Sequence, residues 1–259
     1  MRESLPGEDN PNHPSNAQPL IEHLTELRDR LIKSAWGVLA MTVVCWAFSS
    51  QLFDFIREPI SPYLESGGLV FTHPIDKFMA HLKVSLLAGV ILSCPFWVFQ
   101  AWKFVSPGLY LHERRYGLMF ISAGSILFLV GVSFAYFLVL PAAFNFLLHF
   151  GGAEDKPMIT ISEYLSFFIS ITLVFGLAFE LPLVIVMLGA MGLVDQRFLR
   201  EKRRYIIVGL AVIAAIVTPP DLMSMVMLLV PMWVLYEISI FLVGFFARRR
   251  QVASELSDS

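Results

Sequence analysis

The sequence predicts an all-α polytopic membrane protein, with six bent transmembrane helices around a concave face and both termini on the cytoplasmic side. Three observations carry that prediction. Apolar residues make up 56% of the chain against 15% charged, far from the balance of a soluble domain. They gather into six blocks, and a bilayer core about 30 Å thick is crossed by roughly 20 helical residues. The basic residues then alternate between sides. All of the 19 lysines and arginines except Arg57, Lys77, Lys83 and Lys156 fall in the N-terminal segment, loops two and four, and the C-terminal tail. The positive-inside bias places those segments in the cytoplasm.

The polar, proline-rich residues 1–18 read as a disordered cytoplasmic tail with no cleavable signal peptide. Residues 19–246 read as one transmembrane domain, and residues 247–259 as a C-terminal cytoplasmic tail. Residues 19–36, PLIEHLTELRDRLIKSAW, form an amphipathic lead-in. Leu20, Leu24, Leu27 and Leu31 share one helical face, while Glu22, Glu26 and Arg30 share another as a self-paired polar stripe.

The six spans are expected at 31–53, 84–102, 116–140, 164–189, 205–218 and 222–246. Pro95, Pro182 and Pro231 lie inside spans and Pro141 at the end of one, so bent helices are expected. The first outer loop, 54–83, is long enough for short capping helices held by Pro59, Pro62 and Pro74. The second ends in Ser162, a helix N-cap before Glu163 and Tyr164. The fifth span is only about 21–24 Å long at the helical rise. TPPD (218–221) then turns the chain into the sixth, with Asp221 as its cap, so these two spans form a short hairpin that thins the bilayer or admits water.

Cys45 and Cys94 fall in predicted spans one and two and read as small packing residues. No Cys/His cluster suggests a metal and no nucleophile–base pair suggests an enzyme. No cofactor or nucleic acid is expected.

Three acids stand out. Glu180, in FGLAFELPLV, lies in mid-span, where a charge costs about 2.5–3.5 kcal/mol on insertion scales. Either it bonds a carbonyl freed by Pro182, or it faces a wet groove or polar partner helix. Glu237, in VLYEIS, snorkels or pairs with a base of loop four. Glu113, in the second cytoplasmic loop, shares the inner surface with Glu26, and two such carboxylates can clamp guanidinium groups by paired hydrogen bonds.

PLIEHLTELRDRL, SPGLYLHERRY, FGLAFELPLVI, RRYIIVGL, TPPD and PMWVLYEI, in this order and spacing, resemble the TatC family, the membrane receptor subunit of the twin-arginine protein translocase. The resemblance runs from about residue 19 to 246. It implies a glove-shaped bundle in the bacterial inner membrane that binds twin-arginine signal peptides of folded precursors. With TatA and TatB it would export them using the proton-motive force, within a multimeric TatBC complex in the lipid bilayer.

The same resemblance places the signal-binding glutamates on Glu26 and Glu113, with Arg28, Phe104 and His112 nearby, and the deep-groove glutamate on Glu180. Pro59 and Asp221 match positions that matter for assembly or structure. Leu111 and Met225 depart from the basic residue and glutamine of some relatives. A polar partner-helix contact would therefore lean on Thr218 and Ser224, with Glu237 a further contact or structural residue. Two rivals keep the acids but not the role. A proton-coupled transporter would use them as a relay, and a passive scaffold would tolerate their loss.

Overall fold

The computed structural model describes residues 20–64, 68–106, 117–149, 158–217 and 222–257. Its elements are α1 (Leu20–Trp46), α2 (Ser49–Arg57), a 3-10 helix (Glu58–Tyr63), α3 (Asp76–Leu92), α4 (Cys94–Val105) and α5 (Gly117–Phe134). A π turn (Ala135–Val139) then leads into α6 (Leu140–His149), α7 (Ile161–Phe179), α8 (Leu181–Ala190), α9 (Gln196–Val217) and α10 (Leu222–Ser257). The expectation of an all-α membrane bundle is met.

Three stretches are long and apolar enough to cross a membrane unaided: Gly117–His149, Ile161–Gly189 and Met225–Phe245. Two bent pairs bring the number to five, one being α1 with α2 and the 3-10 helix, bent by 89°, the other α3 with α4, bent by 55°. The remaining element, α9, is a 22-residue helix that starts well before residue 205. Its first third is charged, and its apolar part spans only about 20 Å. The short fifth span of the sequence is thus the apolar C-terminal part of a longer helix.

The prolines act mostly as helix starts. Pro95 and Pro182 occupy the first turns of α4 and α8, where a missing amide costs nothing. Pro141 follows the π turn, which accommodates a lost hydrogen bond by widening the helix locally. Pro231 lies inside α10, whose helix continues through the expected tail to Ser257.

Two boundary expectations are corrected. The first span ends at Trp46 rather than residue 53, because the chain turns at Ala47–Phe48 and α2 lies across the bundle. The cause is amphipathy: α2 turns Ile56, Leu52 and Phe53 to the core and leaves Gln51, Asp54 and Arg57 exposed. The N-cap of α7 is Thr160, not Ser162. Thr160 Oγ1 accepts the Glu163 amide at 3.2 Å and donates to the Glu163 carboxylate at 3.1 Å, a reciprocal capping box. Ser162, two residues further on, already lies inside the helix.

The outer loops form the cap that the sequence predicts. Tyr136 donates to the Phe55 carbonyl at 2.9 Å, which the Glu58 amide also reaches as it closes α2, and Tyr164 donates to the Ile56 carbonyl. Val70 and residues 159–161 exchange backbone hydrogen bonds of 3.0 and 2.8 Å, tying the first outer loop to the second.

Inside, α1 packs on α3 and α4, α4 on α5, α5 on α7, and α7 on α3 and α10, with α8 and α9 against α10. The main core runs through Leu165, Ile171, Phe175, Leu228, Tyr236 and Ile240. A smaller cluster of Cys94, Val98 and Phe128 lies between α4 and α5. Exposed Trp36, Leu118, Phe137, Ile216 and Phe241 give the bundle an apolar exterior suited to lipid.

Candidate functional site

In the first turns of α1, Glu26 and Arg30 lie one turn apart, and the Arg30 guanidinium donates to Glu26 Oε1 at 3.1 Å. Both side chains are mostly withdrawn from water, at 22% and 24% exposure. Arg28 points away, exposed, and bonds its neighbour Asp29.

One turn before Glu26, His23 stacks on Phe104 with ring centroids 4.4 Å apart. Phe104 sits near the end of α4, one residue from its terminus at Val105. Its stack therefore ties the start of α1 to the point where loop two departs. His112 and Glu113, in that loop, lie outside the described residues. His23 was not singled out by the sequence; its place three residues before Glu26, on one helical face, was the available signal.

Glu180 stands at the joint of α7 and α8. Its amide donates to the Leu177 carbonyl at 3.1 Å, closing α7, and its carbonyl accepts from Val184 at 3.0 Å, opening α8. Because both backbone groups serve the joint, the side chain is free to point inward toward α4 and α5. Gly124 makes room for it. A Cβ there would stand 3.0 Å from Val98 and Leu183 side-chain atoms and 3.3 Å from Glu180 Oε2. The Cys94 thiol faces Ser125 and lies within electrostatic reach of Glu180.

The carboxyl is half-buried and its Oε1 has no hydrogen-bond partner among the described residues. A bond to a carbonyl freed by Pro182 is therefore not made through that oxygen. Cys94, Gly124 and Ser125 were not linked to Glu180 by the sequence. The run SAGS (122–125) carried the hint, since small residues let helices approach closely.

Glu237 pairs with Arg203 at 2.7 Å, as the loop-four alternative anticipated. The neighbouring Tyr236 hydroxyl donates to the Leu199 carbonyl at 2.7 Å, and Gln196 reaches the Ile240 carbonyl at 3.4 Å. Loop four delivers α9 to this contact by a tight turn. Gly192, at φ +75°, ends α8 with bonds from Leu193 to Leu188 and from Gly192 to Gly189, and Asp195 caps α9 through the Phe198 amide at 2.6 Å.

Pro59 lies in the first turn of the 3-10 helix, Glu58–Tyr63. Thr218 and Asp221 lie outside the described residues. Ser224 is placed in the first turn of α10. Among the described residues no group of His, Cys, Asp and Glu could hold a metal.

The family model described as Sec-independent protein translocase protein (TatC) matches residues 22–231. A Sec-independent protein translocase protein TatC from Desulforapulum autotrophicum is 40% identical over 245 residues, covering 93% of this chain and 91% of the relative. Its counterpart from Escherichia coli K12 is 36% identical over 232 residues, covering 89% and 90%. A crystal structure of the twin-arginine translocase receptor TatC superposes with a TM-score of 0.78 at 36% identity, covering 86% of this chain and 98% of that one. The chain belongs to the TatC family of Sec-independent protein translocase proteins.

Proposed function

We propose that this chain is the receptor of a twin-arginine translocase, reading the paired arginines of precursor signal peptides at the cytoplasmic surface of the inner membrane. The observation that carries the reading is the His23–Phe104 stack. It holds the α1 turn bearing Glu26 beside the end of α4, from which the loop bearing Glu113 departs. Two carboxylates on these segments suit two guanidinium groups, each able to accept a forked pair of hydrogen bonds. Arg28, Phe104 and His112 complete the peptide contact. Both termini are cytoplasmic.

Glu180 serves a second step. Its unpartnered oxygen marks a place in the groove where a polar group of a partner helix, or water, gains a hydrogen bond. The partners are TatA and TatB, within a multimeric TatBC complex. The hairpin of α9 and α10, with Thr218, Asp221 and Ser224 near its turn, offers their transmembrane helices an edge. Pro59 and Glu237 keep the scaffold in shape.

The test is binding of a twin-arginine signal peptide and its twin-lysine variant to membranes containing this chain, with TatB present, with and without Glu113→Ala. Selective binding of the arginine peptide that disappears in the variant is the expected result. Equal binding of both peptides to the unaltered chain refutes the reading.

A further inference from the structure

We propose that Arg30 is an internal competitor for the arginine-reading carboxylate, occupying Glu26 until a ligand guanidinium displaces it. The inference rests on the reading of Glu26 as a signal-peptide contact. Three features of the pair support it. Arg30 is the guanidinium on the Glu26 face, since residues four apart on a helix are neighbours. Arg28, two residues from Glu26, points elsewhere and is engaged by Asp29. The Glu26 carboxylate is thus already neutralised by the same chemical group that the ligand would bring.

The bond is also incomplete. It joins one guanidinium nitrogen to one carboxylate oxygen at 3.1 Å, and Arg30 Nε is buried with no partner among the described residues. An incoming arginine that approaches end-on can offer two parallel hydrogen bonds, which the shared helix backbone denies to Arg30 in this geometry. Exchange therefore improves the contact, and it releases Arg30. Apparent affinity falls by the fraction of time for which Glu26 is free. That reduction applies alike to any cationic ligand of the site, so it sets how tightly peptides bind and leaves the preference for arginine over lysine unchanged.

The experiment measures binding of the twin-arginine and twin-lysine peptides to membranes containing the full chain, its partners, and one substitution. Arg30→Gln and Arg30→Met remove the competitor, the second keeping an aliphatic stem. Lys33→Gln removes the same charge from an exposed position nearby on α1 and reads out general electrostatics. The expected result is binding roughly two- to fivefold tighter for an Arg30 variant than for Lys33→Gln, by the same factor for both peptides. If both Arg30 variants bind no more tightly than Lys33→Gln, the proposal is overturned. An unaltered chain without arginine selectivity refutes the receptor reading itself. A selective chain with no gain in the variants refutes the competitor alone.

Discussion

Arg203 of α9 and Glu237 of α10, thirty-four residues apart, meet at 2.7 Å and form a charged contact between the two helices. The Tyr236 and Gln196 contacts lie on the same, N-terminal half of α9, whereas Val208, Val212 and Ile216 leave its other half exposed. With 43% and 32% of the two side chains exposed, the pair stands between a screened surface bridge and a buried one. A double-mutant cycle with Arg203→Gln and Glu237→Gln should give a coupling of about 1 kcal/mol in thermal unfolding of the solubilised chain. A coupling near zero would leave α9 held by apolar packing and by the Tyr236 and Gln196 hydrogen bonds.

The cap of α7 separates two hydroxyls two residues apart. Thr160→Ala removes the acceptor of the Glu163 amide and should destabilise the chain by about 1 kcal/mol. Ser162→Ala should leave stability unchanged. Unfolding midpoints of the two variants, together with hydrogen exchange at Glu163, check the contrast. A larger loss at Ser162 would return the helix start to that residue.

These two cases mark what could be read in the sequence. The apolar blocks and prolines were enough to find the bundle, and spacing alone paired Glu26 with Arg30 and offered Glu237 a base from loop four. Local pattern fails where the decisive partner is distant. Nothing at Ala47–Phe48 announces a right-angle turn, since no proline or glycine stands there. Besides its apolar face, α2 is held across the bundle by a pair of phenols 81 and 108 residues further along. Glu180 was recognisable as an anomaly for the same reason that its surroundings were not: periodicity shows that a residue has a face, never which helix it meets.

Those phenols make their own prediction. Tyr136→Phe and Tyr164→Phe each remove one donor to a carbonyl at the end of α2 while keeping the ring, although the Phe55 carbonyl retains the Glu58 amide. Each lost hydrogen bond costs about 0.5–1.5 kcal/mol. The double variant should therefore loosen the outer cap before the bundle unfolds, seen as faster hydrogen exchange or proteolysis over residues 49–63. Global unfolding with no earlier local loss would make the cap one cooperative unit with the core.

Glu180 offers the sharpest separation of stability from function. Its Oε1 lacks a partner among the described residues, so the acid is a cost to the folded chain rather than a support. Glu180→Leu should raise the unfolding midpoint or leave it unchanged, whereas an acid kept for structure would lower it. Both Glu180→Leu and Glu180→Gln should leave signal-peptide docking intact and reduce recovery of the complex with TatA and TatB. Gly124→Val tests the same pocket from the other side. A new Cβ 3.0 Å from Val98 and Leu183 and 3.3 Å from the carboxyl must push at least one of them aside, at roughly 1–3 kcal/mol. If displacement of the carboxyl matters, adding Glu180→Leu to Gly124→Val should cause little further loss of partner assembly. Independent losses that multiply would mean that Gly124 acts through packing alone and that Glu180 meets its partner elsewhere.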